Sequence, residues 1–391
     1  MIARFRRTAV RVSSAARDMA ARARTHATSI GLALVMLGPV HAEPPHRTVE
    51  VARQAAIQEE LARVRAVVEA AGGWRAWNDR LAPSHADIHA RIAAAEAVGR
   101  EIIAGPAGSL FTTALTRFAL AHNAPPEAGG ALDIRMASGF TTVLDLSRQL
   151  EARGIHVIFV PIPQKEEVDP RSLSGLAPED VPIYPQRYLY MEALLDAGVE
   201  VMDLLPAFQK ARQGSEVPLY PDTDLHWGNR AMGIAAREIA LRLARYPFAR
   251  STSELSYKAE PFRIEEQGPL VKYFLPEEAW GAYPSLIDEG LRVLLPDGRP
   301  YAYDAIQQAP VLLIGDSFMM RSRSGGSFAA RLALESGVPV TGHMENQKGA
   351  QAAARILARK GPAYLEGRRA VVWYVAGGML SRAWSTVALP E

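Results

Sequence analysis

Cysteine is absent from the 391 residues of the chain. Disulfide bonds, thiolate catalysis and cysteine-ligated zinc are therefore excluded. The absence does not identify a compartment, because many bacterial envelope proteins also lack cysteine. The chain also lacks a large excess of charge of either sign, because it has 44 basic and 42 acidic residues. What is present is ordinary globular composition, with 48% hydrophobic residues, and this is enough for a sizeable core.

The N-terminal segment has the three parts of a secretory signal. Residues 1–28 contain seven arginines and one aspartate, residues 29–40 are uncharged and mostly apolar, and a small-x-small sequence occupies 40–42. The apolar run is about half of the roughly 20 residues that a membrane-spanning helix needs. We therefore expect residues 1–42 to be a signal peptide or an N-terminal anchor, and the protein to work in the periplasm.

Removal of that segment would change the charge balance of the chain. Because residues 1–42 carry a net charge of +6, the net charge would fall from +2 to −4. A weakly acidic mature protein gives no support for nucleic-acid binding. We therefore expect no nucleic-acid partner.

The next part of the chain is predicted to be helical. Apolar residues recur at helical spacing through 46–103, and Pro83-Ser84 followed by Asp87 is typical of a helix start. His85, Asp87 and His89 could suggest a metal site, but no further ligand is in evidence, so a solvated helix face is the better interpretation. The sequence predicts no metal and no cofactor.

Beyond this part, helices alternate with strands. Loop composition at 121–132 is followed by amphipathic helical segments, while 250–308 is less regular. Such alternation predicts an α/β fold with a mostly parallel sheet covered by helices. We expect an N-terminal helical extension at 43–104 and one α/β domain at 105–391. The predicted strands are 155–163, 199–206, 310–315, 338–342 and 370–377.

One of these strands runs directly into Gly315-Asp316-Ser317. Functional groups collect beyond the carboxyl ends of parallel strands, so Ser317 is a candidate nucleophile. The alternative is a turn in which these residues cap the following helix. The tripeptide alone is weak evidence, and its place after a buried strand strengthens it.

A serine nucleophile needs a base, and the base needs an orienting group. His226 lies two residues after Asp224, and residues two apart in an extended segment point to the same side. The Asp224 carboxylate could then hold one imidazole nitrogen while the other faces Ser317. The alternative is a loop histidine packed beside Trp227.

Two blocks together carry a family resemblance: "DTDLHW" at 222–227 and "LLIGDSF" at 312–318. In this combination and order the sequence resembles the AlgJ/AlgX-type alginate O-acetyltransferases, a branch of the SGNH hydrolase superfamily. In that branch the Asp-x-His block precedes the Gly-Asp-Ser block, the reverse of ordinary SGNH esterases. The upstream segments 157–170 and 197–208 resemble the same family, and 107–118 does so more loosely.

The resemblance implies a flavodoxin-like α/β/α sandwich and assigns roles to the candidate residues. Ser317 would be the acyl-accepting nucleophile, His226 the general acid and base, and Asp224 its orienting group. Gly349 through its backbone N–H and Asn346 through its side chain are candidates for stabilising the oxyanion. The segment around them matches only loosely, so a turn before the next helix is an equally good interpretation.

The resemblance implies an exported polysaccharide O-acetyltransferase that works through a serine acyl-enzyme. Its expected partners are the polysaccharide acceptor, a membrane-bound O-acyltransferase as acetyl donor, and other polysaccharide-export proteins. A carbohydrate acetylesterase with the same three residues is one alternative, because the two activities differ in how well the site excludes water. A non-catalytic subunit of a polysaccharide-export complex is the other, although a pure scaffold has no need of all three residues.

Overall fold

A computed structural model describes residues 45–120, 138–250, 256–320, 326–345, 351–381, 384 and 388–389. The α-helices are α1 (Pro45–Ala70), α2 (Gly73–Ala97), α3 (Thr113–Leu120), α4 (Ser138–Glu151), α5 (Lys165–Val168), α6 (Pro170–Leu173), α7 (Pro185–Asp196), α8 (Leu205–Gln213), α9 (Asn229–Leu243), α10 (Pro247–Arg250), α11 (Pro269–Phe274), α12 (Phe328–Ser336) and α13 (Gln351–Lys360). The β-strands are β1 (Ile102–Ala104), β2 (Leu110–Thr112), β3 (His156–Ile162), β4 (Glu200–Val201), β5 (Lys258–Glu266), β6 (Leu286–Leu294), β7 (Val311–Gly315), β8 (Val340–Met344) and β9 (Ala370–Ala376).

Five parallel strands form the central sheet, in the order β4-β3-β9-β7-β8. Every residue of β3 and of β7 is buried, as expected for parallel strands covered on both faces. Alternate side chains of β3 enter two different cores: Val157 and Phe159 belong to one, and Ile158 and Val160 to the other. The predicted α/β fold with a mostly parallel sheet is therefore confirmed.

Helices cover both faces of this sheet. The first core includes side chains of α4, α7 and α13, and the second includes side chains of α8, α9 and α12. The N-terminal helices α1 and α2 bury Ile57, Leu61, Trp77 and Leu81 in the first core. The helical N-terminal part is thus confirmed, while the domain boundary expected after residue 104 stays a prediction.

Three predictions about local structure were wrong. Pro83 lies inside α2 and does not begin a helix, and the Ser84 hydroxyl donates to the Leu81 carbonyl within that helix. The strand predicted at 199–206 is limited to two residues, because the Asp203 carboxylate accepts a hydrogen bond from the N–H of Leu205, where α8 begins.

The third error concerns 250–308, where the described residues contain an antiparallel hairpin of β5 and β6 with α11 between the two strands. No side chain of β5 is fully buried, and its apolar–polar alternation is confined to Phe262, Arg263 and Ile264, which is too short to identify a half-buried strand. This insertion between α9 and β7 contributes to the site described below. Within the described part of the chain, no helix has the length and hydropathy needed to cross a membrane.

Candidate active site

Ser317 stands at the carboxyl end of β7, where it begins a 3₁₀ turn that extends to Met319. Gly315 is required at the end of the strand because a Cβ atom there would overlap the ring of Tyr374 on β9. The Tyr374 hydroxyl also donates a 2.9 Å hydrogen bond to the backbone carbonyl of Asp316. The close contact with β9 thus fixes the backbone that presents Ser317.

The buried Asp316 carboxylate holds the turn together. It accepts hydrogen bonds from the N–H groups of Phe318, at 3.2 Å, and Ala376, at 3.1 Å. Burial raises the pKa of Asp316, and these two backbone donors oppose the increase. The capping turn considered from the sequence is therefore present, but it is formed by Asp316, and the Ser317 side chain points elsewhere.

Asp224, His226 and Ser317 form one hydrogen-bonded chain. His226 Nε2 lies 2.8 Å from Ser317 Oγ, and His226 Nδ1 lies 2.9 Å from Asp224 Oδ1. The same carboxylate oxygen accepts a 2.9 Å hydrogen bond from the backbone N–H of His226. Asp224 is fully buried, whereas 22% of the His226 side chain is exposed. An imidazole oriented by a buried carboxylate can accept the proton of a serine hydroxyl.

Trp227 connects the histidine loop to the serine turn. Its indole N–H donates a 3.1 Å hydrogen bond to the Phe318 carbonyl, and its ring packs edge-on against the rings of Phe318 and Phe328. Phe318 in turn lies edge-on to the His226 imidazole, with centroids 5.1 Å apart. The loop therefore packs through Trp227 and at the same time directs His226 towards Ser317. The two alternatives considered from the sequence do not exclude each other.

The insertion between α9 and β7 supports the histidine loop. The Asp288 carboxylate on β6 accepts hydrogen bonds from the backbone and side-chain nitrogens of Asn229, the first residue of α9. Gly268, at the start of α11, packs so closely on Thr223 that a Cβ atom would overlap its side chain. Both ends of the loop that carries Asp224 and His226 are thus fixed, by contacts that no sequence pattern predicted.

Lys165 is a second feature that the sequence did not reveal. Its buried ammonium group donates hydrogen bonds to the backbone carbonyls of Leu110, Pro221 and Asp222, at 3.2, 2.9 and 2.7 Å. It therefore ties β2 to the segment that leads into Asp224. Burial lowers the pKa of Lys165 to about 8, and the nearby carboxylates, that of Asp222 foremost, oppose the decrease.

Replacing Lys165 with methionine keeps a similar apolar stem but removes these three hydrogen bonds. We expect the free energy of unfolding to fall by about 1–3 kcal/mol near neutral pH. Since the folded-state pKa of about 8 lies below the ordinary value of 10.5, the folded state binds fewer protons between these values. The stability of the unsubstituted protein should therefore rise relative to the variant from pH 8 to pH 10.5. Urea denaturation measures the difference, and a difference independent of pH would contradict the expectation.

The Ser317 end of the hydrogen-bonded chain lies in a cleft of about 570 Å³. Ser317 and His226 form part of its wall, together with apolar side chains such as Phe111 and Leu225 and with the exposed Tyr273. Lys165 and Glu166 line the same wall, and burial raises the pKa of Glu166. The oxyanion candidates Asn346 and Gly349 lie outside the described residues, so their role stays a prediction.

The fold and this site define an SGNH hydrolase-like protein. The family model for the SGNH hydrolase-like domain of acetyltransferase AlgX matches residues 132–376, and the chain belongs to this family. The resemblance recognised in the sequence is thereby confirmed. No curated protein matches the chain in sequence.

The solved structures that are similar to this chain include two proteins from Pseudomonas. The O-acetyltransferase domain of AlgJ from Pseudomonas putida matches with a TM-score of 0.54 at 19% identity, covering 73% of this chain and 94% of that one. AlgX from Pseudomonas aeruginosa matches with a TM-score of 0.49 at 16% identity, covering 72% of this chain and 66% of that one. At these identities, the AlgJ match shows a shared fold and leaves the activity to be argued from the site.

Proposed function

We propose that the protein is an O-acetyltransferase that moves acetyl groups onto hydroxyls of an exported polysaccharide. The observation that carries the proposal is the hydrogen-bonded chain of Asp224, His226 and Ser317 in an open cleft. Membership of the AlgX acetyltransferase family and the fold shared with an AlgJ O-acetyltransferase domain support the choice of reaction. The sequence resemblance to the alginate O-acetyltransferases makes alginate the first polysaccharide to test.

In the first half-reaction, Ser317 Oγ attacks the carbonyl carbon of an acetyl donor while His226 Nε2 takes the serine proton. Asp224 holds the imidazole in the required tautomer and stabilises the imidazolium that forms. Collapse of the tetrahedral intermediate breaks the bond to the donor's leaving group, which receives the proton from His226. The product is an acetyl ester of Ser317. Donors for the intermediate's oxyanion are proposed from Asn346 and Gly349.

In the second half-reaction, a sugar hydroxyl attacks the acetyl-serine ester. His226 accepts the proton of that hydroxyl and returns it to Ser317 Oγ as the tetrahedral intermediate collapses. The acetyl group leaves on the sugar oxygen, and the enzyme regains its starting protonation state. No cofactor enters either half-reaction.

Water competes with the sugar for the same intermediate, and this makes carbohydrate acetylesterase the second candidate function. The partial exposure of His226 at the wall of an open cleft favours it, because water can reach the base. The two functions have the same acyl-enzyme and differ only in the acceptor. A non-catalytic role in an export complex would require neither the short His226–Ser317 distance nor the oriented imidazole.

The acceptor decides between these functions. The purified protein, given p-nitrophenyl acetate and increasing amounts of deacetylated alginate oligosaccharide, should form acetylated oligosaccharide at the expense of free acetate. The mass spectrum of the oligosaccharide and the yield of acetate measure the partition. A constant acetate yield with no acetylated oligosaccharide would leave the esterase as the better function, and release of neither product would favour the non-catalytic role.

We also propose a place of action and its partners. The signal-like residues 1–42 favour the periplasm, either as a cleaved signal peptide or as an anchor in the inner membrane. In the periplasm the enzyme would encounter a polysaccharide that is acetylated during its export. A membrane-bound O-acyltransferase is the proposed acetyl donor, and other polysaccharide-export proteins are the proposed neighbours.

A phosphatase reporter fused after Glu43 tests the location. Since alkaline phosphatase is active only after export, we expect activity from the fusion in a Gram-negative host. The matched control is the same fusion with residues 29–40 deleted, which should be inactive because the apolar run is missing. If the fusion with the intact residues 1–43 is inactive, the periplasmic location is wrong. A cytoplasmic small-ester hydrolase is then the better function. N-terminal sequencing of the exported product distinguishes cleavage after Ala42 from a retained anchor.

A further inference from the structure

The short helix α11 places an exposed aromatic ring in the wall of the cleft. Tyr273 lines the same cleft as Ser317 and His226, and 72% of it is exposed. It is the most exposed of the large hydrophobic residues in the described part of the chain. Leu270 and Val271 of the same helix are fully buried. The helix is therefore anchored by its first turn and presents Tyr273 to solvent.

The position of this ring is tied to the reacting groups. The N–H of Leu270 donates a 3.0 Å hydrogen bond to the Thr223 carbonyl, and Gly268 packs directly on the Thr223 side chain. Thr223 immediately precedes Asp224, whose carboxylate orients His226. One rigid contact thus fixes both the histidine loop and the helix that carries the ring. The position of Tyr273 relative to His226 is therefore fixed, although Tyr273 takes no part in the hydrogen-bonded chain.

The chemistry of the ring suits one component of the reaction. The small acetyl group is held at Ser317, whereas the acceptor of a polysaccharide acetyltransferase is a chain of sugar rings with apolar C–H faces. An aromatic side chain offers a large, flat contact area at little cost in conformational entropy. Lys272 Nζ lies 5.8 Å from the centroid of the Tyr273 ring, near the outer limit of a cation–π contact, and leaves the residue largely exposed.

We propose that Tyr273 is the platform on which a pyranose ring of the acceptor polysaccharide stacks, which makes it a specificity-determining residue of the second half-reaction. The inference rests on the proposed acetyltransferase function. It assigns the mouth of the cleft beside α11 to the acceptor. A stacked sugar would bring its neighbouring hydroxyls into the cleft that contains His226 and Ser317.

The test measures how the acetyl-enzyme divides between sugar and water. Tyr273→Ala should raise the KM for an alginate oligosaccharide acceptor about three- to tenfold, the range expected for loss of one aromatic contact. At low acceptor concentration the ratio of transfer to hydrolysis should fall by the same factor, and saturating acceptor should restore it. Tyr273→Phe keeps the ring and should retain the KM of the unsubstituted protein.

The neighbouring Phe274 supplies the matched control. It lies on the same helix, is 37% exposed and is not part of the cleft wall, so Phe274→Ala should leave the acceptor KM unchanged. An unchanged KM in Tyr273→Ala would overturn the inference. So would a loss that saturating acceptor does not restore, because that result indicates damage to the His226 loop.

The inference and the proposed function can fail separately. If the acetyl-enzyme transfers to the acceptor with the same KM in all variants, the platform is overturned and the transferase function stands. If the acetyl-enzyme forms but is discharged only to water, the platform and the transferase function are both overturned. The esterase then remains.

Discussion

Ser317→Ala is expected to abolish ester cleavage and acetyl transfer while leaving the fold intact. Its hydroxyl is the atom that His226 Nε2 contacts at 2.8 Å, and no other oxygen in the described site occupies that position. Loss of a serine nucleophile from such a triad lowers kcat by about 10⁴–10⁶-fold. Turnover of p-nitrophenyl acetate measures the loss, and thermal unfolding measures the fold. Near-normal turnover by the purified variant would disprove the serine mechanism.

Ser327 provides the matched control for that substitution. It lies ten residues further along, and its hydroxyl oxygen accepts a 3.1 Å hydrogen bond from the N–H of Ala330 as the N-cap of α12. Ser327→Ala should therefore lower the free energy of unfolding by about 1 kcal/mol and retain activity. The two serines should thus show opposite patterns, one losing activity without stability and the other losing stability without activity.

Asp224 and His226 are expected to act as one unit with Ser317. Asp224→Asn keeps an oxygen for the backbone N–H of His226 but favours the wrong imidazole tautomer, and it should lower kcat about 10⁴-fold. His226→Ala should be at least as severe. The double variant should be little worse than the worse single variant, because neither residue works without the other.

A double-mutant cycle on kcat measures this coupling. Asp222→Asn is the control, since Asp222 lies two residues before Asp224 and accepts a hydrogen bond from Ser109 instead of contacting His226. It should change kcat only a few-fold. Additive losses in the Asp224 and His226 variants would mean that these residues act independently, and that the observed hydrogen bond does not serve catalysis.

The parts of this account that the sequence could predict depend on local patterns. The strands β3, β7 and β9 are continuous apolar runs, and such runs identify buried parallel strands from composition alone. Ser317 was predicted from its place after β7, and the pairing of Asp224 with His226 from their spacing. The structure brings His226 and Ser317 together across 91 positions of sequence, and Asp224 contacts His226 from two residues away.

The missed features depend on contacts between distant segments. The partners of Lys165 are backbone carbonyls on residues more than 50 positions away. Every residue has a backbone carbonyl, so no sequence pattern identifies these partners. Tyr273 is significant only because α11 packs on Thr223. Strand β5 of the hairpin has no fully buried residue, and the Pro83-Ser84 pair resembles a helix start but lies inside α2. Local propensity was overridden by tertiary packing in the last case.

The central claim is that Ser317 carries an acetyl group during the reaction. Rapid acid quenching after mixing with p-nitrophenyl acetate, followed by peptide mass spectrometry, tests it directly. The account predicts an adduct of about 42 Da, one acetyl group replacing a hydrogen, on the peptide containing Ser317. The adduct should accumulate in a burst, be absent from Ser317→Ala, and disappear when an acceptor is added. An active enzyme with no adduct on that peptide, or with the adduct on another residue, would contradict the account.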